Sequence, residues 1–187
     1  MSIAKRVWRI LRFPLAFVAL CGLYFGGLQL VGNVHTLVPG EVYRSAQPWG
    51  DDLAHYKETY GIKAVLNLRG ENPGVKWYDE ELAASKSAGV TMLSFRMSSK
   101  RPLTEEKAKE LIALMRDAPK PLLIHCRAGA DRTGLASALY IAAIANHPEA
   151  AAHQLSPVYG HLPLSFTREY EMDRSWARLQ PMLSGAK

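Results

Sequence analysis

Cysteine is scarce in this 187-residue chain, which has only Cys21 and Cys126. So low a count excludes a disulfide framework. Cys21 lies inside an apolar N-terminal run, so its pairing with Cys126 is not expected either. Acidic residues are missing from the start: none precedes Glu41, whereas Lys5, Arg6, Arg9 and Arg12 place four positive charges there. The formal charge of +6 is therefore largely local, and residues 35–187 hold 19 basic against 17 acidic residues. With a near-neutral body and no basic stripe interleaved with aromatics, nucleic-acid binding is set aside. Internal repeats, low-complexity tracts and a second domain boundary are absent too. What remains is 48% apolar and 21% charged, the mixture of an ordinary globular domain.

Charge is also absent from Phe13 to Val34, a run of 22 residues. As a helix at 1.5 Å per residue this run is about 33 Å long, enough to cross a hydrocarbon core of roughly 30 Å. Gly22, Gly26 and Gly27 dilute its apolar character, although glycine is commoner in membrane helices than in soluble ones. A cleaved signal peptide shares the basic start and apolar stretch, but no clean small-residue cleavage site follows the run, and an uncleaved anchor is the expectation. Four basic residues precede the span and Arg44 is the first after it. The positive-inside rule then keeps the N-terminus in the cytoplasm and the body across the membrane, which in a bacterium is the periplasmic side of the inner membrane. The expected organisation is an anchor over residues 1–34 and one domain over 35–187.

In the body, residues 35–39 read as a linker, 40–43 as a first strand and 44–48 as a loop. The β-branched and apolar runs at 62–68, 90–95 and 121–125 predict strands. Helices are expected at 51–60, at 75–87 before the capping Gly89, and from an N-cap at Thr104 to about 117. A further helix over 133–146 is apolar nearly all round and belongs in the centre of a domain. Two more stretches, 148–155 and 166–179, complete the list. Strands alternating with helices predict an α/β fold with a central, mostly parallel sheet flanked by helices.

Between the strand at 121–125 and the helix at 133–146 stands HCRAGADRTG, residues 125–134. Ligands of α/β sheets collect at the carboxyl ends of strands, and a helix N-terminus offers unpaired N–H groups and a partial positive charge to an anion. The loop Arg127, Ala128, Gly129, Ala130 can wrap its backbone N–H groups around a phosphate. Arg132 can add two parallel hydrogen bonds to phosphate oxygens. The same field favours the thiolate of Cys126, the form that attacks phosphorus. Thr133 is placed to donate to that sulfur, and His125 to orient the loop.

Cys126 through Arg132, with His125 before and Thr133-Gly134 after, resembles the signature of cysteine-dependent tyrosine and dual-specificity phosphatases. EVYRSAQP (41–48) and GIKAVLNLRGE (61–71) are similar to stretches of the bacterial members. The resemblance covers roughly residues 40–161. It implies the cysteine-phosphatase fold, no metal or other cofactor, Cys126 as nucleophile and Arg132 as phosphate ligand. Most relatives supply a general acid from a loop some 30 residues before the cysteine, but here residues 95–102, FRMSSKRP, contain no carboxylate, and Ser98 and Ser99 stand where it is expected. Asp131 is the candidate to replace it, against the alternative that it only braces the following helix. Arg69 is a second supporting residue, either in the site or bracing the loop. Arg96, Lys100 and Arg101 are placed to line the cleft or to stay in solvent. Ala130 replaces a lysine common in lipid phosphatases of similar signature.

The expected activity is hydrolysis of phosphate monoesters through a cysteinyl-phosphate, on phosphotyrosine or mixed phosphoprotein residues. A phosphoinositide or inositol-phosphate phosphatase and a weakly active phosphate-binding pseudophosphatase are the alternatives. A rhodanese-like sulfur carrier is disfavoured by Arg132-Thr133 at this spacing. The expected partners are a phosphorylated protein, small molecule or lipid, and the membrane through the N-terminal helix.

Overall fold

The structure is a computed structural model and describes residues 3–184. The apolar N-terminal run lies in α1 (Ile3–Leu30), of which Ile10–Leu30 is long and apolar enough to cross a membrane. The chain then enters a five-stranded sheet: β1 (His35–Val38), β2 (Val42–Ser45), β3 (Ala64–Asn67), β4 (Thr91–Ser94) and β5 (Leu122–His125), in the order β1-β2-β5-β3-β4. β1 is antiparallel to β2 and every other pair is parallel. Residues 35–39 are thus an edge strand rather than the expected linker. Over His35–Val38 the inward-facing backbone groups pair with β2, and no hydrophobic alternation announced this, because one face is only half-buried. The loop expected from residue 44 likewise starts later, as Arg44 and Ser45 are the last residues of β2 and are fully buried.

Five strands need helices on both faces, and the chain supplies them. α2 (Asp52–Tyr60) and α3 (Lys76–Ala88) cover one face, where Leu53, Tyr56, Ile62, Val65 and Leu123 are buried together. α4 (Glu105–Asp117), α5 (Asp131–Ala143), α6 (Pro148–Ala151) and α7 (Glu171–Ser184) belong to the larger core on the other side, with Leu66, Ile124, Leu111, Met115, Leu135 and Trp176. α5 is the central helix that its composition predicts: every residue from Thr133 to Ala142 is buried. Gly61 and Gly89 close α2 and α3 in the left-handed conformation, and the Thr104 side chain caps α4 by accepting from the Lys107 N–H at 3.3 Å. β5 lies between β2 and β3 with Ser45, His125 and Asn67 in register. The carboxyl ends of four parallel strands therefore meet at one edge of the sheet. The segment leaving that edge from β5 and entering α5 is HCRAGADRTG.

Candidate active site

Residues Cys126–Ala130 form the loop, and its backbone is turned so that carbonyls face the scaffold. Cys126 C=O meets the His125 ring at 3.2 Å, and Arg127 C=O accepts from the Gln47 N–H at 3.1 Å. Ala128 C=O accepts from the side-chain amides of Gln29 and Asn33, at 3.1 and 3.0 Å. Gly129 C=O accepts from the Arg44 guanidinium at 2.9 Å, and Ala130 C=O from the Gly134 N–H at 2.7 Å. Among the described residues, the backbone N–H groups of Arg127, Ala128, Gly129 and Ala130 donate to no protein acceptor. A loop whose acceptors are all engaged and whose donors are all available is built for an anion. Only glycine fits at 129: its φ is +70°, and a Cβ there would lie 2.7 Å from the backbone of Ser45 and Ala46.

Cys126 lies at the floor of this loop, 3% exposed. Thr133, expected to donate to its sulfur, is fully buried, but its hydroxyl makes no hydrogen bond to Cys126 or to any other group. Arg132 is half-buried at the start of α5 and makes no ion pair among the described residues. Its guanidinium thus remains available to a phosphate. Arg127 is exposed.

Behind the loop lies a buried polar network invisible to the sequence reading. His125 is buried, and its Nε2 meets Glu81 Oε1 at 2.7 Å. Glu81, on α3, also accepts from the amides of Gln47 at 2.7 Å and Asn67 at 3.2 Å. A buried carboxylate needs this degree of hydrogen bonding to be tolerated. Both ring nitrogens of His125 meet acceptors, so the ring links α3 to the loop. Arg44 is a second link. It donates to Gly129 and to both the backbone carbonyl and the side chain of Gln154, and it lies 3.9 Å from the Tyr159 ring centroid. Burial lowers its pKa to about 10, which leaves it charged at neutral pH.

Asp131, the candidate acid, opens α5 and is held from an unexpected quarter. His161 Nδ1 meets Asp131 Oδ1 at 2.8 Å, and His161 Nε2 meets Asp173 Oδ2 at 2.9 Å. The imidazole is fully buried, while the two carboxylates stay partly exposed. Burial alone would lower the His161 pKa; the Asp131 hydrogen bond and the charges of Asp173 and Asp131 outweigh it, and the pKa is raised above the ordinary 6.5. A ring with a carboxylate on each nitrogen is satisfied as imidazolium, donating to both.

The mouth is basic. Arg69, Arg96, Lys100, Arg101, Lys107 and Arg132 line a cleft of about 620 Å³ together with Ser98 and Ser99, and no carboxylate lines it. Arg69 donates to Gln47 Oε1 at 2.6 Å and stacks on Trp77, its guanidinium carbon 3.3 Å from the ring centroid. Among the described residues no ion pair braces it; burial and then the proximity of Arg132 lower its pKa. Arg96 is tied to the Glu71 carbonyl and Asn72, both uncharged partners. Lys107 is paired with Glu110 at 2.5 Å and Lys100 with Glu169 at 3.6 Å, outside the cleft lining.

The sequence reading thus gathered Cys126, Asp131 and Arg132 from one contiguous stretch, and the structure brings Arg69 to them across the sheet edge. It did not find Arg44, Gln47, Glu81, His161 or Asp173. Only Arg44 carried a signal, since a charged residue directly after a buried strand run invites the question of its partner.

The family description "PTP-SAK: Swiss Army Knife protein, DSP-PTPase phosphatase domain" matches residues 32–182. In sequence, the chain is 31% identical over 102 residues to "Inositol diphosphatase SIW14" of Saccharomyces cerevisiae. That match spans 52% of this chain and 35% of the relative, so the chain accounts for about a third of the relative's length. In structure, it is similar to P. aeruginosa TpbA in complex with pTyr, with a TM-score of 0.57 and 22% identity over 83% of this chain and 93% of that one. It is also similar to the core catalytic domain of S. cerevisiae SIW14 in complex with citrate, with a TM-score of 0.55 and 20% identity over 81% and 91%.

Proposed function

Because the chain belongs to the Swiss Army Knife DSP-PTPase phosphatase domain family, we propose that it hydrolyses phosphate esters and anhydrides through a cysteinyl-phosphate intermediate on Cys126. The observation that carries this is the loop 126–130, with its carbonyls engaged by the scaffold and its N–H groups available above the Cys126 thiol. In the first step Sγ attacks phosphorus and the bond to the leaving oxygen breaks, while Arg132 holds the equatorial oxygens. When that oxygen needs a proton, the hydrogen-bonded Asp131–His161 pair supplies it through Asp131, the imidazolium giving up its proton in turn. In the second step water attacks phosphorus, its proton passes to Asp131, the S–P bond breaks, and phosphate leaves with the thiolate restored.

The substrate we favour is a multiply phosphorylated small molecule of the inositol-phosphate class. Arg69, Arg96, Arg101 and Arg132 line one cleft with no carboxylate partner among the described residues, more cationic groups than one phosphate requires. Segment 95–102 offers no acid, and this matters least when the leaving group is itself a phosphate, a weak base that departs unprotonated. The relative named as an inositol diphosphatase supports the same reading. Phosphotyrosine in proteins is the second reading, supported by the likeness to TpbA, which binds phosphotyrosine.

Turnover of an inositol diphosphate, a phosphotyrosine peptide and an aryl phosphate, measured side by side under reducing conditions, tests this. The diphosphate should be hydrolysed fastest, and Cys126→Ser should abolish all three activities. Activity that survives Cys126→Ser would remove the covalent route, and a phosphotyrosine peptide turned over fastest would replace the first substrate reading by the second.

We also read α1 as an uncleaved anchor over residues 1–34, the body 35–187 lying across the membrane from the N-terminus. Gln29 and Tyr24 of this helix donate to carbonyls of the catalytic body, at 3.1 and 2.9 Å, which supports its retention.

A further inference from the structure

Eighteen consecutive residues, from Ala150 to Thr167, contain no Asp, Glu, Lys or Arg. Within them, the segment from Pro157 to Phe166 turns its large apolar side chains outward. Val158 is 56% exposed, Leu162 41%, Leu164 39% and Phe166 84%. Four such residues on one uncharged loop form a patch rather than the scattered exposure of an ordinary surface.

The loop lies against the apolar helix. Tyr24 Oη donates to the Val158 carbonyl at 2.9 Å, and Pro157 and Val158 close one side of a cavity of about 440 Å³ whose other side is Phe17, Leu20, Tyr24 and Phe25. Gly160 faces Leu28, since a Cβ there would lie 3.8 Å from its Cδ1.

These contacts fix a depth. The apolar span Ile10–Leu30 has 21 residues, about 31 Å of helix, which fills a core of roughly 30 Å with nothing to spare. Tyr24 stands six residues before Leu30, about 9 Å along the axis. A carbonyl hydrogen-bonded to Tyr24 is therefore below the membrane surface whenever the span is inserted.

Backbone in such a place is favoured where its polar groups are satisfied internally, and at the end of this loop that meets Tyr24 the carbonyls are. The carbonyls of Ser156, Pro157, Val158, Tyr159, Leu162 and Leu164 all have protein donors. Pro157 and Pro163 remove two N–H groups that would need acceptors.

We propose that the segment from Pro157 to Phe166 is seated in the bilayer beside α1, its partner being the headgroup-to-acyl boundary of the lipid. This rests on the reading of α1 as an inserted anchor. Its neutral, apolar outer side suits lipid, while its one inward imidazole, His161, grips Asp131 of the signature loop. The bilayer, the loop and the phosphate site thus form one mechanical series.

The test uses the full chain in lipid nanodiscs, with Phe166→Trp and, as a reference inside the span, Leu23→Trp. Fluorescence added over that of the four native tryptophans is measured with ordinary lipid and with lipid brominated near the top of the acyl chain. Bromine should quench both added signals. Quenching of Leu23→Trp without Phe166→Trp overturns the seat and leaves the anchor standing. Quenching of neither overturns the anchor and the seat with it. Quenching of Phe166→Trp alone overturns the anchor, and with it the seat beside α1.

Discussion

In the proposed mechanism Asp131 is the proton site, and His161 holds it by a hydrogen bond. A carboxylate that must act as acid for an alkoxide, but is idle for a phosphate leaving group, leaves a kinetic signature. Asp131→Asn should slow turnover of alkyl and aryl phosphate esters by something like the 10²–10⁴-fold typical of a lost general acid, and leave an anhydride much less affected. Equal losses across a leaving-group series would reduce Asp131 to a brace for α5. His161 carries a separate signature in stability. Its raised pKa means that the folded state holds a proton more tightly than the unfolded chain. The stabilisation is thus complete below the ordinary imidazole value of 6.5 and lost as pH rises through the folded value. His161→Gln should therefore be less stable than wild type by a margin widest below pH 6.5 and narrower above neutrality, and a margin constant from pH 5 to 9 in thermal melts would rule the linkage out. The Cys126–Thr133 stretch was legible because its chemistry is contiguous. His161 and Asp173 were not, since they stand 30 and 42 residues from Asp131 and nothing local to either marks the meeting.

Whole elements were easier to read than their edges. Each parallel strand and the helices up to α5 lie within a few residues of their expected places, because buried apolar runs and glycine caps are strong local signals, whereas α7 starts and ends five residues later than expected. β1 escaped because an antiparallel edge strand of four residues owes its existence to its neighbour β2 rather than to its own pattern. α3 illustrates the converse: its position was legible and its purpose was not. It looks like an ordinary amphipathic helix, yet it delivers Glu81 to His125, Gln47 and Asn67 behind the loop. Glu81→Ala takes the carboxylate from the buried His125 ring and Asn67 amide and leaves the Gln47 amide only the Pro48 carbonyl at 3.4 Å. A buried donor left without its acceptor costs about 1–3 kcal/mol, so chemical denaturation should register a loss of a few kcal/mol. Glu81→Gln, which keeps an acceptor, should lose less. Equal stability of Glu81→Ala and wild type would show that the network is not holding the helix to the loop.

At the scale of the molecule, the boundary between the apolar helix and the domain is where sequence and structure part most usefully. Composition draws a line after residue 34, where the apolar run ends. Hydrogen bonding draws it earlier. Asn33 is fully buried and donates to Ala128 and Tyr159 carbonyls, Gln29 donates to Ala128, and the Gly32 carbonyl accepts from Ala46. A biochemist wanting a detergent-free enzyme would cut at residue 35 and would take away both side chains that hold the Ala128 carbonyl. A chain trimmed to begin at Leu28 should melt higher and turn over faster than one trimmed to begin at His35, with the difference read most simply from phosphate release and a thermal scan. The last turn of the apolar helix, discarded by habit as packaging, is then part of the enzyme's working inventory.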